Sequence, residues 1–73
     1  MFTVNVWTAG HRLESLSASS EEGVDQIVDR LKNDLEREVI TMSTCGVLMI
    51  VKTLCIDVMR DGKIFKRINL SRS

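Results

Sequence analysis

One histidine and two cysteines are all the imidazole and thiol ligands in this chain. Cys45 and Cys55 form no C-x-x-C pair and His11 stands alone, so no metal is expected. His11 has no serine or cysteine at an identifiable motif spacing, which leaves no catalytic triad to assemble. It reads as an exposed turn residue. Gly10, Gly23, Gly46 and Gly62 are dispersed, so no glycine-rich loop is available to cradle a phosphate. Neither an enzyme signature nor a cofactor follows from these residues.

Long apolar segments are missing too. The longest run, Val47 to Val51, is far short of the roughly 20 residues needed to cross a bilayer, so no membrane association is expected. Met1 to Thr8 alternates polar and apolar residues and has no basic leader region. The expectation is a soluble cytoplasmic protein with reduced thiols. Cys45, next to Gly46, has nothing around it in sequence that would activate a thiol, and Cys55 is expected to pack as a small apolar residue.

Length sets the next constraint. The 73 residues leave room for one small domain, 1–73, which buries only about 60% of the surface its unfolded chain exposes. A core this small gains from a partner, and with disulfides and metals set aside a homodimer is the expected supplement.

Charge is balanced overall at ten acidic and ten basic side chains, but it is segregated. Glu14 to Glu38 holds eight acids against Arg30, Lys32 and Arg37, whereas Val39 to Ser73 holds six bases against Asp57 and Asp61. The acidic and basic parts can attract each other within one fold.

Phe2, Val4, Val6 and Thr8 alternate with Thr3, Asn5 and Trp7, the period of a strand with one face on a core. Ala9 to His11 read as a turn and Arg12 to Ala18 as a returning strand, with Leu13 and Leu16 breaking strict alternation. Ser19 to Glu22 fits a capping box, Ser19 accepting from the Glu22 N–H. Val24, Ile27, Val28, Leu31 and Leu35 then form the apolar stripe of a helix ending near Arg37. Arg30 with Asp34 and Lys32 with Glu36 are spaced as ion pairs along it.

After a break at Ser43 to Gly46, Val47 to Val51 is expected to form a strand covered on both faces. Asp61-Gly62 is the composition of a type I′ hairpin loop. It opposes Arg60 to Lys63 and Met59 to Ile64, and uninterrupted pairing continues with Val58 to Phe65, Asp57 to Lys66, Ile56 to Arg67 and Cys55 to Ile68. In that register one face holds Leu54, Ile56, Val58 and Phe65, and the other holds Cys55, Met59, Ile64, Ile68 and Leu70. The resulting fold class is α+β: a small antiparallel sheet in ββαββ or βαβββ order with one amphipathic helix packed on one face.

Two apolar sheet faces and one helix leave a face uncovered. The function expected on this basis is non-enzymatic protein binding, with homodimerisation through an apolar sheet face. Trp7, Val58 and Phe65 are the expected contacts, and Asp25 and Asp29 on the helix a second contact. Asp25 and Asp29 also lie one helical turn apart, a spacing that suits a shared cation only with a third ligand the sequence does not supply. A compact frame of this kind fits a phage or mobile-element accessory protein that binds and inhibits a host protein. The alternative is a nucleic-acid binder using Arg60, Lys63 and Arg67 on the C-terminal hairpin, disfavoured by zero net charge and by Phe65 being its sole aromatic.

Overall fold

The structure, a computed structural model, describes residues 1–72. Strands β1 (Phe2–Thr8) and β2 (His11–Ala18) are followed by helix α1 (Glu21–Glu36). A short hairpin follows, β3 (Thr41–Thr44) and β4 (Val47–Ile50), and then a long one, β5 (Thr53–Arg60) and β6 (Lys63–Ser71). The α+β plan stands, with the β3–β4 hairpin added to the expected order. The large sheet is antiparallel in the order β2-β1-β5-β6, and β3 and β4 form a separate two-stranded sheet.

The alternation of β1 translates directly into burial. Phe2, Val4, Val6 and Thr8 are buried while Thr3, Asn5 and Trp7 face the other way. Leu54, Ile56 and Val58 of the adjacent β5 do the same, and Val24, Leu31 and Leu35 of α1 close over both strands. Burial of each such side chain contributes about 1.5–3 kcal/mol, so these two central strands and one helix face account for most of the core. Thr8 is the one buried polar residue in that set, and its hydroxyl donates to the carbonyl of Thr53 at 2.8 Å.

The helix begins one residue later than the capping box implied. Ser20, in an extended conformation, is the N-cap and its Oγ accepts from the N–H of Gly23 at 3.2 Å. Gly23 suits this turn because a Cβ there would sit 3.3 Å from the Cβ of Ala18, at the end of β2. At the other end Glu38 takes a left-handed φ of +59°. Its N–H donates to Leu35 O and that of Val39 to Asp34 O, both at 3.2 Å, a Schellman motif built without glycine. Neither Arg30 with Asp34 nor Lys32 with Glu36 is an ion pair. Glu38 instead pairs with Arg72, tying the end of the chain to the end of the helix.

All three hairpin loops have the same conformation. Ala9-Gly10, Cys45-Gly46 and Asp61-Gly62 place their first residues at φ of 47°, 52° and 51° and each glycine at 80°. Positive φ at both positions is the signature of a type I′ turn, whose twist matches that of the strands it joins. The Asp-Gly loop was legible from composition; the other two carry a non-glycine residue with little preference for that region.

Two bulges set the registers, and the second corrects the expected one. On β2, Glu14 opposes Val6 and Arg12 opposes Trp7, so Leu13 is the extra residue and the broken alternation around it is explained. On β6, Ile64 opposes Met59 as expected, but Lys66 rather than Phe65 opposes Val58. Phe65 is therefore the extra residue, and every partner beyond it moves by one: Arg67 opposes Asp57, Ile68 opposes Ile56, and Asn69 opposes Cys55. A one-residue slip exchanges the two faces of a strand. Ile68 and Leu70 accordingly pack on the core, and Arg67 and Asn69 turn outward. The second apolar face expected from uninterrupted pairing is not formed.

Candidate interaction surface

On the uncovered face of the large sheet, Thr3, Asn5, Ser15 and Ser17 surround the half-buried Trp7, Cys55 and Met59. Arg67 Nε donates to Asp57 Oδ1 at 2.6 Å across β5 and β6. This hydrogen bond, followed by the charge of Asp57 itself, raises the Arg67 pKa above the ordinary arginine value. Polar side chains and this ion pair thus occupy much of the face.

The residues expected to form a partner-binding patch are dispersed. Trp7 lies on the uncovered face, opposite Cys55 and Arg12, with its indole N–H buried and unpartnered. Val58 is fully buried beneath α1, which removes it from any partner-facing set. Phe65 stands edge-on to Phe2, with ring centroids 5.3 Å apart, and so supports the core from its border. Asp25 meets Lys66 at 3.6 Å between helix and sheet, and Asp29 is exposed on the helix. Arg60, Lys63 and Arg67 do not form one basic stripe. Arg60 lies over the Phe2 ring at 5.6 Å, Lys63 opposes Arg60 beside the loop, and Arg67 is engaged with Asp57 on the opposite face.

Chemistry-bearing side chains are equally separate. His11 is exposed at the start of β2, Cys45 is exposed in the β3–β4 loop and Cys55 is half-buried in β5. Among the described residues no three His, Cys, Asp or Glu side chains converge as metal ligands. A half-open groove of about 360 Å³ follows the seam between α1 and the sheet, with Leu13, Glu14, Arg30 and Asp34 along it and the core residues Val6 and Leu31 at its floor.

What stands out instead is the β3–β4 hairpin. Val47, Leu48, Met49 and Ile50 are 59%, 71%, 52% and 46% exposed. The strand expected to be covered on both faces is thus bare on both, and only Val51, at its foot, reaches the core. The reason is topological. β1 and β5 already occupy the two central positions of the large sheet, which leaves no central place in it for a further apolar strand between α1 and β5. The hairpin is anchored at its base, where Val51 N–H donates to Ile40 O at 2.9 Å and Ile40 and Met42 pack against the core.

Opposed residues share a face. Thr41, Ser43, Leu48 and Ile50 therefore lie on one side of the ribbon, with Met42, Thr44, Val47 and Met49 on the other. No residue from Val39 to Val51 is charged, in a chain that is 27% charged overall. That gap in the charge pattern was the available signal for the surface, and the apolar run alone pointed to the opposite, buried placement. No family model, curated protein or solved structure matches this chain.

Proposed function

We propose that this protein is a non-enzymatic protein-binding module whose contact surface is the β3–β4 hairpin. The observation that carries the reading is the exposure of four consecutive apolar side chains, Val47 to Ile50, on a ribbon held to the body only at its base. Exposed apolar surface of this continuity is the usual mark of an interaction site. Among the described residues neither ribbon strand has a neighbour on its outer edge, so backbone groups are available for pairing with an added strand.

The uncovered face of the large sheet ranks below the hairpin because the Phe65 bulge gives it Arg67 and Asn69 in place of Ile68 and Leu70. Dispersal of Arg60, Lys63 and Arg67 likewise places nucleic-acid binding second.

The test compares three immobilised baits in extracts of the source cell: the wild type, a Leu48→Ser/Ile50→Thr double variant, and a Ser15→Lys variant of the uncovered sheet face. Proteins retained by the wild type and by S15K, but lost from the double variant at unchanged melting temperature, support the reading. Equal capture by all three baits refutes it.

A further inference from the structure

We infer that the occupant of the β4 edge is a second copy of this chain, paired antiparallel so that Met49 meets Met49 of its partner across a two-fold axis. The inference rests on the hairpin being the contact surface and adds what covers it.

Backbone direction fixes the geometry. Thr44 and Val47 flank a two-residue loop, and Val51 donates to Ile40 at the other end of the ribbon. Hydrogen-bonding direction alternates along an antiparallel strand, so Val47, Met49 and Val51 turn their N–H and C=O toward β3. Leu48 and Ile50 turn theirs to the free edge. A pairing strand must offer outward-facing groups to these two residues, and the same strand run antiparallel does so with Leu48 opposite Ile50 of the partner and Ile50 opposite Leu48. Both residues then exchange both backbone bonds, and Met49 falls on the axis as a non-hydrogen-bonded pair. Centring the axis on Leu48 instead would set Ile50 against Gly46 and lose the second apolar pair.

Charge permits a second copy, and area bounds how strong the association can be. Edge strands that stay single are kept very short or are blunted by lysine, proline or a bulge. β4 is short, at four residues, but carries no lysine, proline or bulge, and no charge from Val39 to Val51 opposes juxtaposition of two identical ribbons. A folded monomer of 8.3 kDa exposes about 4,600 Å² by mass scaling, whereas this chain exposes 4964 Å². Its radius of gyration, 12.4 Å, likewise exceeds the roughly 11.2 Å of a compact chain of this length. Removing the excess of about 400 Å² from each of two copies buries about 800 Å² in total, below the roughly 1,200 Å² of stable complexes. The dimer is therefore reversible and concentration-dependent, with a dissociation constant in the micromolar range or weaker.

Sedimentation equilibrium of the full chain under reducing conditions tests this. Wild type should move from monomer to dimer mass as concentration rises. Leu48→Pro, which removes an N–H only from the free edge, should weaken association about tenfold or more while keeping the thermal transition. If L48P loses the fold, Leu48→Lys/Ile50→Lys takes its place. In a Cys45→Ser background, with the reductant removed and oxidised glutathione supplied as oxidant, two Met49→Cys thiols should exchange with it to a covalent dimer and release reduced glutathione, because a non-hydrogen-bonded pair has the Cα spacing a disulfide needs. Leu48→Cys, about 7–8 Å from its own copy on the diagonal, should cross-link poorly. A wild type that stays monomeric up to about 1 mM overturns the inference. So does preferential cross-linking through Leu48→Cys. A monomeric wild type that still captures another protein through Leu48 sinks the second copy alone and leaves the binding-module reading standing.

Discussion

Asp57 and Arg67 face each other across β5 and β6, joined by a 2.6 Å hydrogen bond, because Phe65 occupies a bulge that shifts β6 by one residue. Without the bulge Asp57 would face Lys66. With it Lys66 turns to the helix side and meets Asp25. A single inserted residue thus pairs both acids and decides which β6 side chains reach the core.

Interstrand nuclear Overhauser effects report this register directly. Contacts from Asp57 should reach Arg67, and those from Ile56 should reach Ile68. An Asp57 to Lys66 pattern would restore the unbulged register and return Ile68 and Leu70 to the outer face. Since Arg67 is raised by its bond to Asp57, its own titration removes the interaction only as pH climbs through a value above the ordinary arginine range. The same contacts should persist from neutral pH to about pH 11.

The cap assignment separates two adjacent serines. Ser20→Ala removes the acceptor for the Gly23 N–H and should cost about 1 kcal/mol in urea unfolding, while Ser19→Ala should stay within about 0.5 kcal/mol. The reverse order would reinstate Ser19 as the cap.

Left-handed backbone at Ala9 and Cys45 stores strain that asparagine tolerates better. Ala9→Asn and Cys45→Asn should each add about 0.5–1 kcal/mol, or roughly 3–6 °C in melting temperature for a domain of this size. Gly62→Ala, at φ 80°, should lower it. A stabilising G62A would mean the loop is not type I′.

Core and ribbon should respond oppositely. Ile56→Ala, at a fully buried position, should cost about 2–5 kcal/mol. Leu48→Ser should leave the monomer within about 0.5 kcal/mol, since 71% of the residue is already exposed. Thermal melts at low concentration measure both, and a large loss in L48S would show that the ribbon contributes to the monomer core.

Local chemistry was sufficient to determine several elements from the sequence. The period of β1, the stripe of α1 and the Asp61-Gly62 loop each rest on residues adjacent in the chain or one turn apart, so their patterns survive folding unchanged. The α+β class follows from them. Tertiary structure alone decided the face of β6, because a bulge is an accommodation between two strands, and the Asp61-Gly62 loop that set the expected register says nothing of the extra residue at Phe65. It also decided the exposure of Val47 to Ile50. An apolar run states that a strand prefers burial; whether the monomer can provide it depends on which strand has already taken the place beside β1, and here β5 has.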